Sequence, residues 1–130
     1  MSQGEIVPGR ILIVDDHAAV RRSLRIVIEG VPGLVVCGEA ENGQIGITVA
    51  QELKPDLIIL DVSMPVMNGF EAARILRSVL PSVPILMFTS FTGAHLSEEA
   101  FAAGANKVIS KSSSPESFIH HLQELLRNAA

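Results

Sequence analysis

Two short apolar runs in this chain each end in acid. Ile11-Leu12-Ile13-Val14 is followed by Asp15-Asp16, and Leu57-Ile58-Ile59-Leu60 is followed by Asp61. Unbroken apolar runs of this length, with no polar alternation, suit strands buried on both faces, as in a parallel sheet between layers of helices. In open α/β sheets, ligands bind outside the carboxyl ends of the strands. Three carboxylates are therefore predicted to crowd into one crevice. Two carboxylates about 5 Å apart repel by roughly 3 kcal/mol at an effective dielectric of about 20. Such a cluster calls for a cation. Oxygen ligands with no Cys or His at ligand spacing favour a hard ion such as Mg2+.

The rest of the chain alternates strand and helix. Pro8-Gly9 breaks the chain before a strand at 10–14. A helix pattern over 16–29 turns Val20, Leu24, Val27 and Ile28 inward. A strand at 34–37 and a helix at 44–53 follow, the helix with Ile45, Val49 and Leu53 inward. A strand at 56–60, a loop at 62–69 and a helix at 70–80 come next. Pro81 and Pro84 set off a strand at 85–88. A weaker helix covers 95–103, and Gly104 stops it before a short strand at 106–109. Ser112-Ser113-Ser114-Pro115 supplies a helix entrance with an N-cap and a first-turn proline. The last helix runs to about 127 and turns Phe118, Leu122 and Leu125 inward. Five strand–helix repeats with short, right-handed connections predict a parallel α/β sandwich.

A chain of 130 residues suits one domain that buries a core without staples. Hydrophobic residues make up 48%, yet no apolar stretch approaches the roughly 18 residues of a membrane span. Residues 1–9 lack the basic and apolar regions of a signal peptide. A lone Cys37 in an apolar run reads as core filler. These features predict a cytoplasmic domain. A net charge of −4, with no Trp or Tyr to stack on bases, argues against direct nucleic-acid binding.

Two more strand ends face the same crevice. Thr89 follows the fourth strand with a hydroxyl, and Lys111 follows the fifth with an ammonium. Carboxylates, hydroxyl and ammonium together can hold a metal ion and a phosphoryl group. Cations neutralise the equatorial oxygens while a carboxylate attacks in line. Asp15 and Asp16 have a second reading, in which one caps the first helix while the other binds metal. Gly69 is expected to take a positive φ that turns the loop after Asp61 into the next helix.

On these residues the chain resembles a two-component response-regulator receiver domain of the NarL/LuxR type. The residues that carry the resemblance are Ile-Val-Asp-Asp-His (13–17), Leu-Asp-Val-Ser-Met-Pro-Val-Met-Asn-Gly (60–69), Thr-Ser (89–90), Gly-Ala (104–105) and Lys111 before Ser-Pro-Glu (114–116). They occur in the family's order over residues 10–127. The resemblance implies a flavodoxin-like (βα)5 fold with strand order 2-1-3-4-5. It implies residues 1–9 as a flexible arm and 10–130 as the receiver domain. It implies that Asp61 accepts a phosphoryl group from a histidine kinase. Asp15, Asp16, Asp61 and the Ser63 backbone carbonyl would hold Mg2+, and Thr89 and Lys111 would contact the phosphoryl oxygens from the crevice rim. It further implies a C-terminal DNA-binding output domain in the full-length protein, outside this chain. A homodimer on phosphorylation is among the outputs it allows. No separate enzymatic turnover and no membrane partner are expected.

The chain departs from the family pattern at three positions. Val108 stands where an aromatic switch residue is common, so the signal is expected to run through Thr89 and the 90–95 loop into the fourth helix. Ser112 follows Lys111 where proline is common, and Ser63 stands where asparagine is common. Two rivals are a Mg2+ phosphatase with an aspartyl nucleophile and a docking domain independent of phosphate. The first places its acids differently and needs a cap domain. The intact acidic constellation argues against the second. His17 reads as a surface residue and not a relay phosphohistidine. Adjacent His120 and His121 face different ways. Arg21, Arg22 and Arg25 read as a solvated face, with kinase docking as the alternative. Phe91 and Phe101 read as core.

Overall fold

The computed structural model describes residues 6–90, 93 and 95–129. Five strands alternate with five helices: β1 Gly9–Val14, α1 Ala18–Glu29, β2 Leu34–Ala40, α2 Gly43–Leu53, β3 Leu57–Leu60, α3 Gly69–Val79, β4 Ile85–Thr89, α4 Leu96–Ala102, β5 Lys107–Ser110 and α5 Pro115–Ala129. All strand pairs are parallel, in the order β2-β1-β3-β4-β5, so the expected flavodoxin-like topology is the one observed.

The unbroken apolar runs divide between the two faces of the sheet, because successive side chains of a strand point to opposite sides. Ile11, Ile13, Leu57, Ile59, Leu86 and Phe88 pack with Leu24, Ile28, Phe118 and Leu122 of α1 and α5. Leu12, Val14, Ile58, Leu60, Ile85 and Met87 pack with Ala50, Ala72, Leu76 and Ala100 of α2, α3 and α4. Each large side chain buried in this way stabilises the fold by about 1.5–3 kcal/mol.

Strand β2 departs from simple alternation. Ile11 pairs with Val36 but Leu12 pairs with Gly38, so Cys37 is an extra residue in the ladder, a β-bulge. Cys37 is only partly buried and not full core filler, and burial raises its thiol pKa. The strand extends to Ala40, three residues past its predicted end at 37.

Helix α2 turns Val49 and Leu53 toward the sheet as expected, but not Ile45. Ile45 is 39% exposed, whereas Gly43, Gly46 and Ala50 face inward. A Cβ on Gly46 would lie 2.9 Å from both methyls of Val14, and one on Gly43 would lie 2.8 Å from the Met67 carbonyl oxygen. The helix is seated too close to the sheet for large residues on that side. In α5, Ser114 caps as predicted, its Oγ accepting from the Ser117 N–H at 3.1 Å. The expected arm at 1–9 needs correction at its end: Val7 is 7% exposed within the core, and Gly9 already donates to the Gly33 carbonyl at 3.1 Å. An apolar side chain with core to bury and a strand N–H with a partner hold the chain there. Residues 1–5 lie outside the described residues.

Arg77, which the sequence reading passed over, joins three segments at the opposite end of the sheet from the acids. Its guanidinium donates to the Gly104 carbonyl at 3.1 and 2.7 Å, to the carbonyls of Pro81 and Val83 at 3.0 and 2.7 Å, and to Asn106 Oδ1 at 2.9 Å. Asn106 Oδ1 also accepts from the Ile85 N–H at the start of β4. Gly104 takes a left-handed φ of +109° against the Arg77 stem. Burial lowers the pKa of Arg77.

Candidate functional site

The sheet's own hydrogen bonds hold the site residues. The Asp15 N–H donates to the Ala40 carbonyl at 3.0 Å, that of Asp61 to Val14 at 3.0 Å, and that of Lys111 to Thr89 at 2.9 Å. Each residue just past a strand end is thus tied to the neighbouring strand. Beyond Asp61, the Gly69 N–H donates to the Val62 carbonyl at 2.8 Å. Gly69 does not take the positive φ expected of it. It is required by proximity instead, because a Cβ there would collide with the Asp61 carbonyl oxygen. Helix α3 can therefore begin against the acidic strand end, where a capping box between Asn68 and Glu71 starts it.

Lys111 Nζ lies 2.8 Å from Asp15 Oδ2 and 3.3 Å from Asp61 Oδ2, so one ammonium bridges two buried carboxylates. Asp61 Oδ1 accepts from the Val62 N–H at 2.8 Å. Burial raises the Asp61 pKa and the charge of Asp15 adds to the rise, against the opposing pull of Lys111 and the Val62 bond. For Lys111, burial favours the neutral form, but the hydrogen bond to Asp15 and the charges of Asp61 and Asp15 outweigh it and raise the pKa. Asp16 is more open, its side chain 27% exposed, yet its Oδ1 is shut from solvent and accepts no hydrogen bond.

Most of the residues singled out in the sequence meet here, with some corrections. Asp15, Asp16, Asp61 and Lys111 converge, and Thr89 ends β4 beside them. Thr89 does not sit on the rim: it is 1% exposed, because β4 is central and covered on both faces. Ser63 is exposed in the loop after β3. Neither Asp15 nor Asp16 is the N-cap of α1, which is His17; Asp15 Oδ1 instead accepts the His17 N–H at 2.8 Å. That turn corrects the expectation of no histidine at ligand spacing, because His17 Nδ1 lies 3.3 Å from Asp15 Oδ1 and 3.1 Å from Asp16 Oδ1. The Asp-Asp-His sequence holds the signal, since an Asp side chain readily accepts from the N–H two residues on.

The arginines of α1 are not simply solvated. Arg21 and Arg25 pair with Glu39 of β2 at 3.0 and 2.7 Å, and Arg21 also donates to the Asp15 carbonyl. Arg22 is exposed. Phe101 is 52% exposed, which corrects its reading as core, and Phe91 lies outside the described residues. The proposed signal route crosses residues 91, 92 and 94, which lie outside them too. Val108 is partly buried in β5 against the α2–α4 side of the core. After Lys111, the Ser112 N–H donates to Ser110 Oγ at 3.1 Å, a bond that proline could not make. In the loop after β3, Val66 takes a φ of +70° and is 74% exposed.

Residues 11–123 match the family model described as response regulator receiver domain. The chain is 36% identical over 118 residues to the transcriptional regulatory protein YdfI of Bacillus subtilis, covering 91% of this chain and 55% of that protein. It is 42% identical over 107 residues to a protein-glutamate methylesterase/protein-glutamine glutaminase of Pyrococcus abyssi, covering 81% of this chain and 29% of that protein. A LuxR-family two-component response regulator from Aurantimonas sp. superposes with a TM-score of 0.89 at 34% identity, over 93% of this chain and 86% of that one. The chain thus spans about half of the one curated relative and under a third of the other. Among the described residues no helix is long and apolar enough to cross a membrane. In sequence and in strand order alike, this chain belongs to the response regulator receiver domains.

Proposed function

We propose that Asp61 is the phosphoacceptor of this receiver domain, taking a phosphoryl group from a histidine kinase in a Mg2+-dependent reaction. One observation carries the reading: a buried Asp61 carboxylate at a central strand end, bridged by Lys111 to Asp15, with its pKa raised. The site suits a hard divalent ion. Asp15, Asp16 and Asp61 offer carboxylate oxygens within 4.8 Å of one another, and Asp16 Oδ1 has no hydrogen bond to lose. Asp16, Asp61 and the Ser63 carbonyl would hold the ion, with Asp15 partly through water. Bound Mg2+ supplies charge that screens the carboxylates and polarises the incoming phosphoryl group.

An oxygen of Asp61 attacks phosphorus. The bond from phosphorus to the donor nitrogen breaks, and its electron pair stays with that nitrogen. Lys111, already against Asp61 Oδ2, neutralises the phosphoryl oxygens, and the Thr89 hydroxyl faces the same group. A groove of 310 Å3 between α1 and α5, lined by Val20, Leu24, Val27 and Phe118 and ending at Lys111, offers an apolar seat for the kinase. Arg21 and Arg25 are engaged with Glu39 and are poor candidates for docking it. By likeness to the LuxR-type regulators, the output is transcription control in the cytoplasm through a DNA-binding domain outside this chain, with dimerisation as one way to transmit the signal.

Acetyl phosphate with Mg2+ tests the assignment. Wild type should gain an acid-stable, base-labile adduct that Asp61→Asn lacks. Labelling of Asp61→Asn at the wild-type level overturns it.

A further inference from the structure

We propose that His17 is a fourth ligand of the acidic pocket, through which the pocket admits a borderline transition cation such as Zn2+ or Co2+ by an imidazole nitrogen that Mg2+ does not use. The inference rests on the reading of Asp15, Asp16 and Asp61 as metal ligands.

Four residues, Asp15, Asp16, His17 and Asp61, each present a ligand atom, and these atoms all lie within 4.8 Å of one another. His17 Nδ1 is in hydrogen-bond contact with Asp15 Oδ1 at 3.3 Å, and the same spacing suits two ligand atoms of one ion. Zinc–nitrogen and zinc–oxygen bonds are about 2.0–2.1 Å long, which places neighbouring ligand atoms about 3.0 Å apart in an octahedron and about 3.4 Å apart in a tetrahedron. His17 Nδ1 stands 3.1 Å from Asp16 Oδ1 and 3.3 Å from Asp15 Oδ1. An octahedral ion fits among these atoms, its opposite ligand atoms being about 4.2 Å apart, after the widest spacing contracts from 4.8 Å.

Two features keep that side of the pocket available. Lys111 is on the other side, held by the Oδ2 atoms of Asp15 and Asp61. Asp16 Oδ1, the oxygen nearest the ring, is closed to solvent and accepts no hydrogen bond even though His17 Nδ1 is 3.1 Å away. A buried acceptor without a donor is a position that a cation can satisfy. The backbone fixes the ring's approach, because the His17 N–H is bonded to Asp15 Oδ1 at 2.8 Å. The ring itself is 64% exposed, so it can turn its lone pair to an ion without disturbing the core. Imidazole suits Zn2+, Co2+ and Ni2+, whereas Mg2+ takes oxygen and retains its waters.

Calorimetric titration of Zn2+ and Mg2+ into wild type, His17→Ala and Asp16→Ala tests this. His17→Ala should weaken Zn2+ about tenfold or more, since loss of even an outer-shell partner of a ligand costs about 10–100-fold, and Mg2+ less than about threefold. Asp16→Ala should weaken both. Co2+ should shift and broaden the ring protons of His17 in the NMR spectrum of wild type. The proposal is overturned if His17→Ala weakens both ions by one factor or neither, or if Co2+ perturbs His120 and His121 and leaves His17 unchanged. If Asp16→Ala leaves Mg2+ binding intact while His17→Ala still loses Zn2+, the Mg2+ assignment falls and the His17 site stands.

Discussion

Lys111 and Arg77 are both cations withdrawn from water, at opposite ends of the same sheet, and they are held in opposite ways. Lys111 faces two carboxylates that raise its pKa. Arg77 faces the carbonyls of Gly104, Pro81 and Val83 and the amide oxygen of Asn106, and burial lowers its pKa. Full charges can be exchanged: a metal ion or a phosphoryl group can enter and take over part of what Lys111 does. Neutral oxygens fixed in turns cannot be re-partnered without moving the backbone. One cation belongs to a rearrangeable pocket, and the other is a permanent joint between α3, the turn into β4 and the turn before β5.

Arg77→Ala should break the comparison most visibly. It leaves the part-buried carbonyls of Gly104 and Val83 short of a donor and should cost about 2–4 kcal/mol, since hydrogen bonds from a charged donor are worth about 1.5–3 kcal/mol each and do not add fully. Urea unfolding should show the same loss with and without Mg2+, and Asp61 should still be labelled by acetyl phosphate. A loss that Mg2+ repairs would place Arg77 in the pocket's electrostatics after all.

Lys111→Ala should cost less, about 1–3 kcal/mol, and conditionally. The variant leaves Asp15 and Asp61 facing each other in a buried site. Added Mg2+ should restore most of the loss, and Mg2+ should bind more tightly than to wild type because a competing cation is gone. Lys111 lies between two buried acids and not at an open rim, so in the absence of Mg2+ stability should fall. Equal losses in both conditions would make Lys111 a fixed joint like Arg77.

The pH dependence sharpens the same point at lower amplitude. Asp61 has a raised pKa, so the folded state holds its proton more tightly than the unfolded chain does. Its favourable contribution is present in acid and is lost as pH rises through the folded pKa. Without Mg2+, Asp61→Asn should therefore be more stable than wild type at neutral pH, and the gap should close as pH falls. Lys111, also raised, contributes up to its unfolded pKa and loses that contribution only as pH climbs through its higher folded value. A gap that is flat from acid to neutral pH would remove the electrostatic account of Asp61.

The smallest effect concerns backbone strain at the two ends. Val66, in the loop after Asp61, and Lys54, which caps α2, have φ values of +70° and +49°. A β-branched residue tolerates the left-handed region poorly. Val66→Gly should gain about 0.5–1 kcal/mol and Lys54→Gly less, because relief of strain is partly offset by the entropy of the unfolded glycine. Thermal melts of the two variants measure the difference.

The strand order and the meeting of Asp15, Asp61 and Lys111 were legible because unbroken apolar runs reveal doubly covered strands, and the residues just after them have one place to go. Arg77 was hidden because its partners are backbone carbonyls, which carry no sequence signal. On α2, Ile45 does not turn inward as its size suggests, because close packing against Val14 selects Gly46, and close packing against Met67 and Ala72 selects Gly43. His17 reads as surface, and by exposure it is; its backbone N–H and its ring nitrogen report its relation to the acids.

The bulge at Cys37 decides which helix each part of β2 addresses. Before it, Leu34 and Val36 face α1 and α5. Beyond it, Ala40 shares their even numbering but packs on the opposite side with Val14 and Ala50, while Glu39 meets Arg21 and Arg25 of α1. A single unpaired residue therefore acts like a change of reading frame within one strand. Flattening the bulge with Cys37 retained would invert the parity of everything after it: Glu39 would turn into the apolar α2 side, and Arg21 would lose the anchor that holds it against Asp15, whereas deleting Cys37 leaves Gly38, Glu39 and Ala40 on the faces they now have. The frame of this strand is thus set by whether the extra residue is bulged out and not by the side chain it carries.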